Sequence, residues 1–259
     1  MLGGVSRTYL SLFNTDFSSG FYISESPFIW VFNLTLLISS VFLMLIGATT
    51  RTDNDYPISS SSFLVGIFSM IAGVGAALYT LEVTDWFAVT SNTGTQIAGL
   101  GANIGGIFGI LSALYFFGSG LRRILRIRHS IGAAFALCPP IWILSLLVAK
   151  FNSFTTLVTI ADNLLIVLFM MAAPVFAIGN ARSMNGLARK DGRNYTIPTG
   201  LITALIGLFL TLPNFIYAAL NSSPIPAASL GDMESVFIFF FSLYAFASAN
   251  HLRRSIATV

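Results

Sequence analysis

The polar side chains that could carry chemistry in this 259-residue chain lie inside long apolar segments. Asp162 and Asn163 stand near the start of an apolar segment that covers 157–179. A carboxylate at this depth needs a cation, a hydrogen-bond donor or a proton, because charged groups are costly in hydrocarbon. These two residues are therefore predicted to form part of a cation or proton site. The alternative is a helix-start acid that the positive end of the helix dipole stabilises.

Three further amides, Asn33, Asn103 and Asn214, lie within other apolar segments. Pro213 directly precedes Asn214, and a proline inside a helix removes one hydrogen bond and frees a carbonyl oxygen. We predict that these amides face a polar solute site near the middle of the membrane.

Acidic residues gather where apolar segments end on one side. Glu82 and Asp85 follow the second segment, and an acidic surface there would attract cations or amines. The alternative is that acids stand on this side only because basic residues are held on the other. The predicted substrate-binding set is Asp162, Asn163, Asn214, Asn103, Asn33, Glu82 and Asp85.

The chain offers few groups for enzyme or cofactor chemistry. Its two histidines, His129 and His251, fall at the same predicted membrane edge, so a facing haem pair is not expected. A retinal Schiff base needs a lysine in the last apolar segment, and the only lysines, Lys150 and Lys190, lie elsewhere. We predict no enzyme activity, no metal site and no cofactor.

The composition identifies the elements that must position these residues. Hydrophobic residues make up 55% of the chain and charged residues only 9%, against about a quarter in soluble domains. Soluble enzymes and nucleic-acid-binding proteins are thereby excluded. A bilayer core of about 30 Å needs about 20 apolar helical residues. Seven segments satisfy this requirement and predict an all-α polytopic membrane protein: 27–49, 61–81, 95–117, 131–150, 157–179, 197–220 and 234–250.

Basic residues are divided unequally between the two sides of this predicted membrane domain. Eleven of the thirteen Lys and Arg residues fall on one side, and Arg7 and Lys150 fall on the other. The positive-inside rule then places the N-terminus outside and the C-terminus inside. Arginines of the inner edge are predicted to contact anionic lipid headgroups. These are Arg122, Arg123, Arg126, Arg128, Arg253 and Arg254.

Three regions follow from this plan. Residues 27–254 form a single seven-helix transmembrane domain, and 255–259 form a short cytoplasmic tail. In 1–26, Leu10 and Phe13 begin an apolar recurrence at helical spacing, which predicts an interfacial helix or re-entrant flap on the outer surface. The alternative is an irregular aromatic tether.

The third and seventh predicted helices end in similar sequences. The third ends in Leu-Tyr-Phe-Phe-Gly-Ser-Gly over 114–120, and the seventh in Leu-Tyr-Ala-Phe-Ala-Ser-Ala over 243–249. This likeness favours a parallel three-plus-one-plus-three repeat, and the alternative is convergence of helix ends. The layout is similar to that of the SWEET sugar facilitators and the PQ-loop proteins, although the chain has no Pro-Gln dipeptide.

Small residues form a stripe on the third predicted helix. Gly101, Gly105 and Gly109 follow one another at four-residue spacing, which allows another helix to approach closely. We predict a helix-packing role for this stripe, either at the centre of the bundle or against a second subunit in an oligomer or complex.

Two functions remain open from the sequence. The polar amides, the prolines and Asp162 favour a small-solute transporter or permease with a polar site at the midplane. The lack of cofactor ligands and the short loops favour a non-catalytic subunit of a larger membrane complex. The predicted partners are the lipid bilayer and either a small solute or other membrane subunits, but no nucleic acid. The membrane is a plasma or inner membrane, or an organellar inner membrane.

Overall fold

The computed structural model describes residues 2–14, 26–49, 62–91, 96–127, 132–153, 160–185, 189–221 and 232–257. All regular structure in these ranges is helical, as the sequence predicts. The α-helices are α1 (Leu2–Phe13), α2 (Pro27–Thr49), α3 (Phe63–Ser91), α4 (Gln96–Ile124), α5 (Cys138–Ser153), α6 (Ile160–Asn185), α7 (Arg189–Asn221) and α8 (Asp232–Ala257). A 3-10 turn over Phe135–Leu137 leads into α5.

Six helices in the described ranges, α2, α3, α4, α6, α7 and α8, are long and apolar enough to cross a membrane. The fourth predicted segment, 131–150, forms a shorter apolar helix. Its helix begins only at Cys138 because Pro139 and Pro140 occupy the first turn, where a backbone N–H is not needed. The two prolines therefore lie in the first turn of α5 and do not interrupt it.

Contacts between residues far apart in sequence fix the helix directions. Gly66 lies against Ile124 and Gly73 against Ala113, so α3 and α4 are antiparallel. Ring contacts and glycine contacts of the same kind orient the remaining helices. As a result α2, α4, α6 and α8 run in one direction, and α3, α5 and α7 run in the other.

Charged residues separate to the two ends of this bundle. One end of the bundle carries Glu82, Asp232 and Glu234 beside Lys150. We call it the acidic end, and it is formed by the C-terminal parts of α3 and α5 and the first turn of α8. The opposite end is the basic end, where α4, α6 and α8 finish. The described arginines there are Arg122, Arg123, Arg126, Arg182, Arg253 and Arg254.

Helix α8 lies between α3 and α7 and carries the aromatic core. The ring of Phe241 is fully buried and meets Phe116 at 5.7 Å and Phe176 at 5.9 Å between centroids, both edge to face. Aromatic rings prefer this offset geometry. In a bilayer, helices associate through such close packing, because the lipid is as apolar as the side chains.

Helix α1 packs alongside α2 in the opposite direction. Gly3 lies against Thr35, and at the other end of α1 the ring of Tyr9 is 4.4 Å from that of Phe28. At about 1.5 Å per residue, Gly3 therefore lies about 12 Å along α2 from its start. The region expected to form an interfacial helix or re-entrant flap is thus helical over Leu2–Phe13, and its position relative to the membrane surface stays a prediction. Residues 15–25 lie outside the described part of the chain.

The two helix triplets of the predicted repeat, α2–α4 and α6–α8, pack against different neighbouring helices. In the second triplet the first helix, α6, packs against the middle helix, α7, whereas its counterpart α2 in the first triplet packs against α1 and against α7 of the second. The three-plus-one-plus-three repeat stays a prediction.

Candidate functional site

A partly buried ion pair joins α5 to α8 at the acidic end. Lys150 Nζ lies 2.9 Å from Glu234 Oε2, and the Glu234 side chain is only 3% exposed while that of Lys150 is 22% exposed. Tyr79 of α3 faces the same carboxylate, and the exposed Glu82 and Asp232 lie within electrostatic range. Three helices thus meet at a cluster that holds one ammonium group, paired with Glu234, and two further carboxylates, Glu82 and Asp232. We call these residues the acidic-end cluster.

Aromatic side chains shield this ion pair. The ring of Phe237 stacks on Tyr79 at 6.0 Å and meets Trp142 edge to face at 4.9 Å. Glu234 Oε1 has no hydrogen-bond partner among the described residues. Excluding water strengthens the attraction between the two charges but also raises the cost of burying them. The Glu234 carboxylate is therefore sensitive to any other cation that competes with Lys150 for it.

A second buried polar contact lies deeper in the bundle, between α6 and α8. Asn180 Nδ2 donates a hydrogen bond of 2.6 Å to Tyr244 Oη, and both residues are almost completely buried. Asn180 Oδ1 has no partner in the described part of the chain. The amide therefore has one of its polar atoms satisfied and another available to a ligand.

The structure brings two of the predicted solute-site residues to the acidic-end cluster. Asn214 Nδ2 lies 3.4 Å from Ser235 Oγ, next to Glu234, and Glu82 interacts with Glu234. The others are not gathered with them: Asn33 is on the exposed face of α2, and Asn163 is half-buried on α6. The side chains of Asn103, Asp85 and Asp162 lie outside what the structure describes.

Sequence reasoning did not assign a site role to Lys150, Tyr79 or Asn180. Lys150 is the lone lysine on its side of the predicted membrane, and this was the available signal for an acidic partner. Asn180 was placed one residue beyond the fifth predicted span, but α6 continues to Asn185. The side-chain pairing itself could be read only from the packed helices.

The predicted glycine stripe of α4 faces other helices of the same chain. Gly105 lies against Ser145 of α5, and Gly109 lies against Thr80 of α3 and Trp142 of α5. No contact is described for Gly101. A second subunit on α4 would therefore have to use the other face of this helix, where Ile110 and its neighbours are exposed.

The six arginines predicted to contact lipid do not share one environment. Arg126, Arg253 and Arg254 are exposed and Arg122 is half-buried, while Arg128 lies outside the described residues. Arg123 is buried.

Within the described residues, His, Cys, Asp and Glu side chains form no cluster of three or more that could hold a metal ion. Comparison with known proteins found no matching family model, no matching curated protein and no matching solved structure. The class of the protein therefore follows from its helices, which are those of a multi-pass membrane protein.

Proposed function

We propose that this chain is a transporter or permease for a small solute and that the acidic-end cluster takes part in solute binding. The observation that supports this proposal is the ion pair that the buried Glu234 forms with the partly exposed Lys150. Intramembrane charges are costly, and membrane proteins retain them mainly on solute, ion and proton pathways.

The proposal includes seven transmembrane helices, with α5 as the shortest. Tyr115 of α4 meets Phe135 at 6.2 Å and Gly105 lies against Ser145, so α5 runs antiparallel to α4. The 16 residues of α5 extend about 24 Å, and the preceding 3-10 turn adds about 6 Å. This length matches a hydrocarbon core of about 30 Å. The positive-inside rule places the basic end in the cytoplasm, matrix or stroma.

The expected substrate is a small solute with a cationic or amine group. The acidic-end cluster has three carboxylates for one ammonium group, so it attracts positive charge to the outer side. A bound amine replaces Lys150 at Glu234, while Asn214 and Tyr79 supply polar contacts. Breaking the link between α5 and α8 would then allow these helices to separate, as alternating access requires.

Uptake into proteoliposomes tests this proposal. In a screen of small amines with the purified chain, Glu234→Gln is expected to abolish uptake because it removes the negative charge. Asn33→Ala is the matched control, since Asn33 is polar and lies in a span but is exposed on α2. It is expected to leave uptake unchanged.

A double variant separates a transport role from a structural one. Lys150→Leu combined with Glu234→Leu replaces a buried ion pair by apolar side chains, a change that proteins often tolerate without loss of stability. The folded double variant should be inactive. If it transports as well as the original chain, the ion pair serves only to pack the helices and the proposal is wrong.

The second candidate function is a non-catalytic subunit of a larger membrane complex. The observation that favours it is the exposure of α2, on which only 6% of the apolar window is buried within the chain. Lipid would cover this surface in a transporter, and another subunit would cover it in a complex. Native gel migration after mild solubilisation distinguishes the two, because a stable monomer contradicts the subunit.

A further inference from the structure

Arg123 differs from the exposed arginines of the basic end because the protein itself covers it. Its side chain is only 5% exposed. Its Nη2 donates a hydrogen bond to Met184 Sδ at 3.2 Å, and its Nε has no hydrogen-bond partner among the described residues. No carboxylate of the described chain pairs with it. A thioether is a weak acceptor, so this buried charge has no counter-charge among the residues that the structure describes.

Other hydrogen-bond donors lie beside this guanidinium group. Asn180 is one helical turn before Met184 on the same face of α6, and its amide contacts Tyr244. The buried Tyr115 of α4 lies within electrostatic range of both Arg123 and Tyr244. Helices α4, α6 and α8 therefore bring a guanidinium group, an amide and two phenols to one region.

The side-chain amide of Asn180 can present a hydrogen-bond donor, its Nδ2, to this region. Its oxygen and nitrogen occupy nearly equivalent positions, so exchanging them lets Tyr244 donate to Oδ1 and leaves Nδ2 free to donate. One of these two atoms lacks a partner in the described chain whichever way the amide is placed. A buried polar atom without a partner destabilises the folded protein.

An oxyanion would supply both the negative charge that Arg123 lacks and the acceptor that the Asn180 amide lacks among the described residues. Arginine recognises carboxylate and phosphate groups through two parallel N–H donors, and the Arg123 Nε is unused. We propose that α4, α6 and α8 form a binding site for one oxyanion, a phosphate or carboxylate group, with Arg123 as the charged contact, Asn180 as a hydrogen-bond donor and Tyr244 orienting the Asn180 amide. This site is separate from the acidic-end cluster, and it does not depend on the proposed transport function.

Thermal unfolding of the purified full chain in neutral detergent tests this site. One series adds inorganic phosphate, and a second adds phosphatidylglycerol to the micelles, with phosphatidylcholine as the neutral lipid. At least one of the two anions is expected to raise the Tm of the original chain in a saturable way. Stabilisation by phosphate indicates a free anion, and stabilisation by phosphatidylglycerol alone indicates a lipid headgroup.

Substitutions assign the anion to this site. Arg123→Gln should weaken the apparent affinity by about tenfold or more, because it removes the charge and the paired donors. Tyr244→Phe removes one oxygen atom and should weaken it less. Arg253→Gln is the matched control, since Arg253 is an exposed arginine at the same end. It should leave the affinity unchanged.

The stability without any added anion provides a readout that does not depend on binding. Arg123→Met removes a buried charge for which the described part of the chain offers no counter-charge, so the anion-free variant should unfold at the same temperature as the original chain or higher. The proposal is overturned if neither anion stabilises the original chain. It is also overturned if Arg253→Gln weakens binding as much as Arg123→Gln, or if Arg123→Met lowers the anion-free Tm.

Discussion

Asn180 and Tyr244 show how a single polar contact stabilises the interior of this bundle. Their hydrogen bond of 2.6 Å joins α6 to α8 among aromatic rings, including Phe176, which meets Tyr244 at 5.8 Å. Because Asn180 and Tyr244 are almost completely buried, their polar atoms depend on partners inside the bundle. Removing a single polar atom, such as the Tyr244 hydroxyl oxygen, should therefore change the free energy of unfolding measurably.

Removing the Tyr244 hydroxyl should destabilise the protein. Tyr244→Phe leaves the buried amide of Asn180 without its partner, which costs about 1–3 kcal/mol. Thermal unfolding in detergent, without added anions, measures the loss. Tyr115→Phe is the control, because Tyr115 is equally buried and no hydrogen bond from its hydroxyl is described. Equal losses in the two variants would show that the hydrogen bond to Asn180 contributes nothing specific.

The end of α4 depends on one residue in an unusual backbone conformation. Arg126 has φ of 55°, in the left-handed region, and the Ile127 N–H bonds to the Arg122 carbonyl at 3.1 Å. This is the pattern of a helix C-cap that glycine normally provides.

Arg126→Gly should therefore stabilise the helix end. An L-residue in the left-handed region costs about 1 kcal/mol relative to glycine, so the Tm should rise. Arg254→Gly is the control, because Arg254 lies within α8, where glycine lowers helix stability. A fall in the Tm of Arg126→Gly would mean that the arginine side chain contributes more than the backbone strain costs.

At the scale of elements, glycines set how closely α3 and α4 approach. A Cβ atom on Gly120 would lie 2.6 Å from Met70 Cγ and would also meet the Gly66 carbonyl oxygen. A Cβ atom on Gly118 would meet nothing within 4 Å. The two positions are close together on one helix but differ in their surroundings.

Alanine at these two positions should have opposite effects. Gly120→Ala forces backbone apart and should cost about 1–3 kcal/mol, whereas Gly118→Ala should be neutral or stabilising by up to about 1 kcal/mol through helix propensity. Thermal unfolding of both variants checks this. Equal behaviour would show that α3 and α4 do not make this close contact.

The sequence located the helices better than it located their ends. The predicted span 27–49 coincides with α2, where Ser26 precedes Pro27 and accepts a backbone hydrogen bond from Ile29 at 3.0 Å. The fifth span was placed too short, because α6 continues through Gly179 into the polar residues that follow. Hydropathy falls at such residues although neighbouring helices still cover them, so Asn180 was not recognised as buried.

At the scale of the whole molecule, the number of spans decides the topology. If α5 crosses the membrane, Phe13 and Arg254 lie on opposite sides, and if it does not, they lie on the same side. Single cysteines at these two exposed positions, in a Cys138→Ala background, can be labelled with a membrane-impermeant thiol reagent in intact vesicles. Seven spans predict that the reagent labels only one of the two, and labelling of both from the same side would contradict α5 as a span.

The sequence by itself determined the class of this protein and the separation of its charges. Both follow from composition and order along the chain, because hydrocarbon selects apolar helices and the positive-inside rule distributes the arginines. Only the tertiary structure decided which polar groups meet. Lys150 and Glu234 are 84 residues apart, and Asn180 and Tyr244 are 64 apart. Pairs so distant in sequence come together through helix packing, which depends on shape complementarity that hydropathy does not encode.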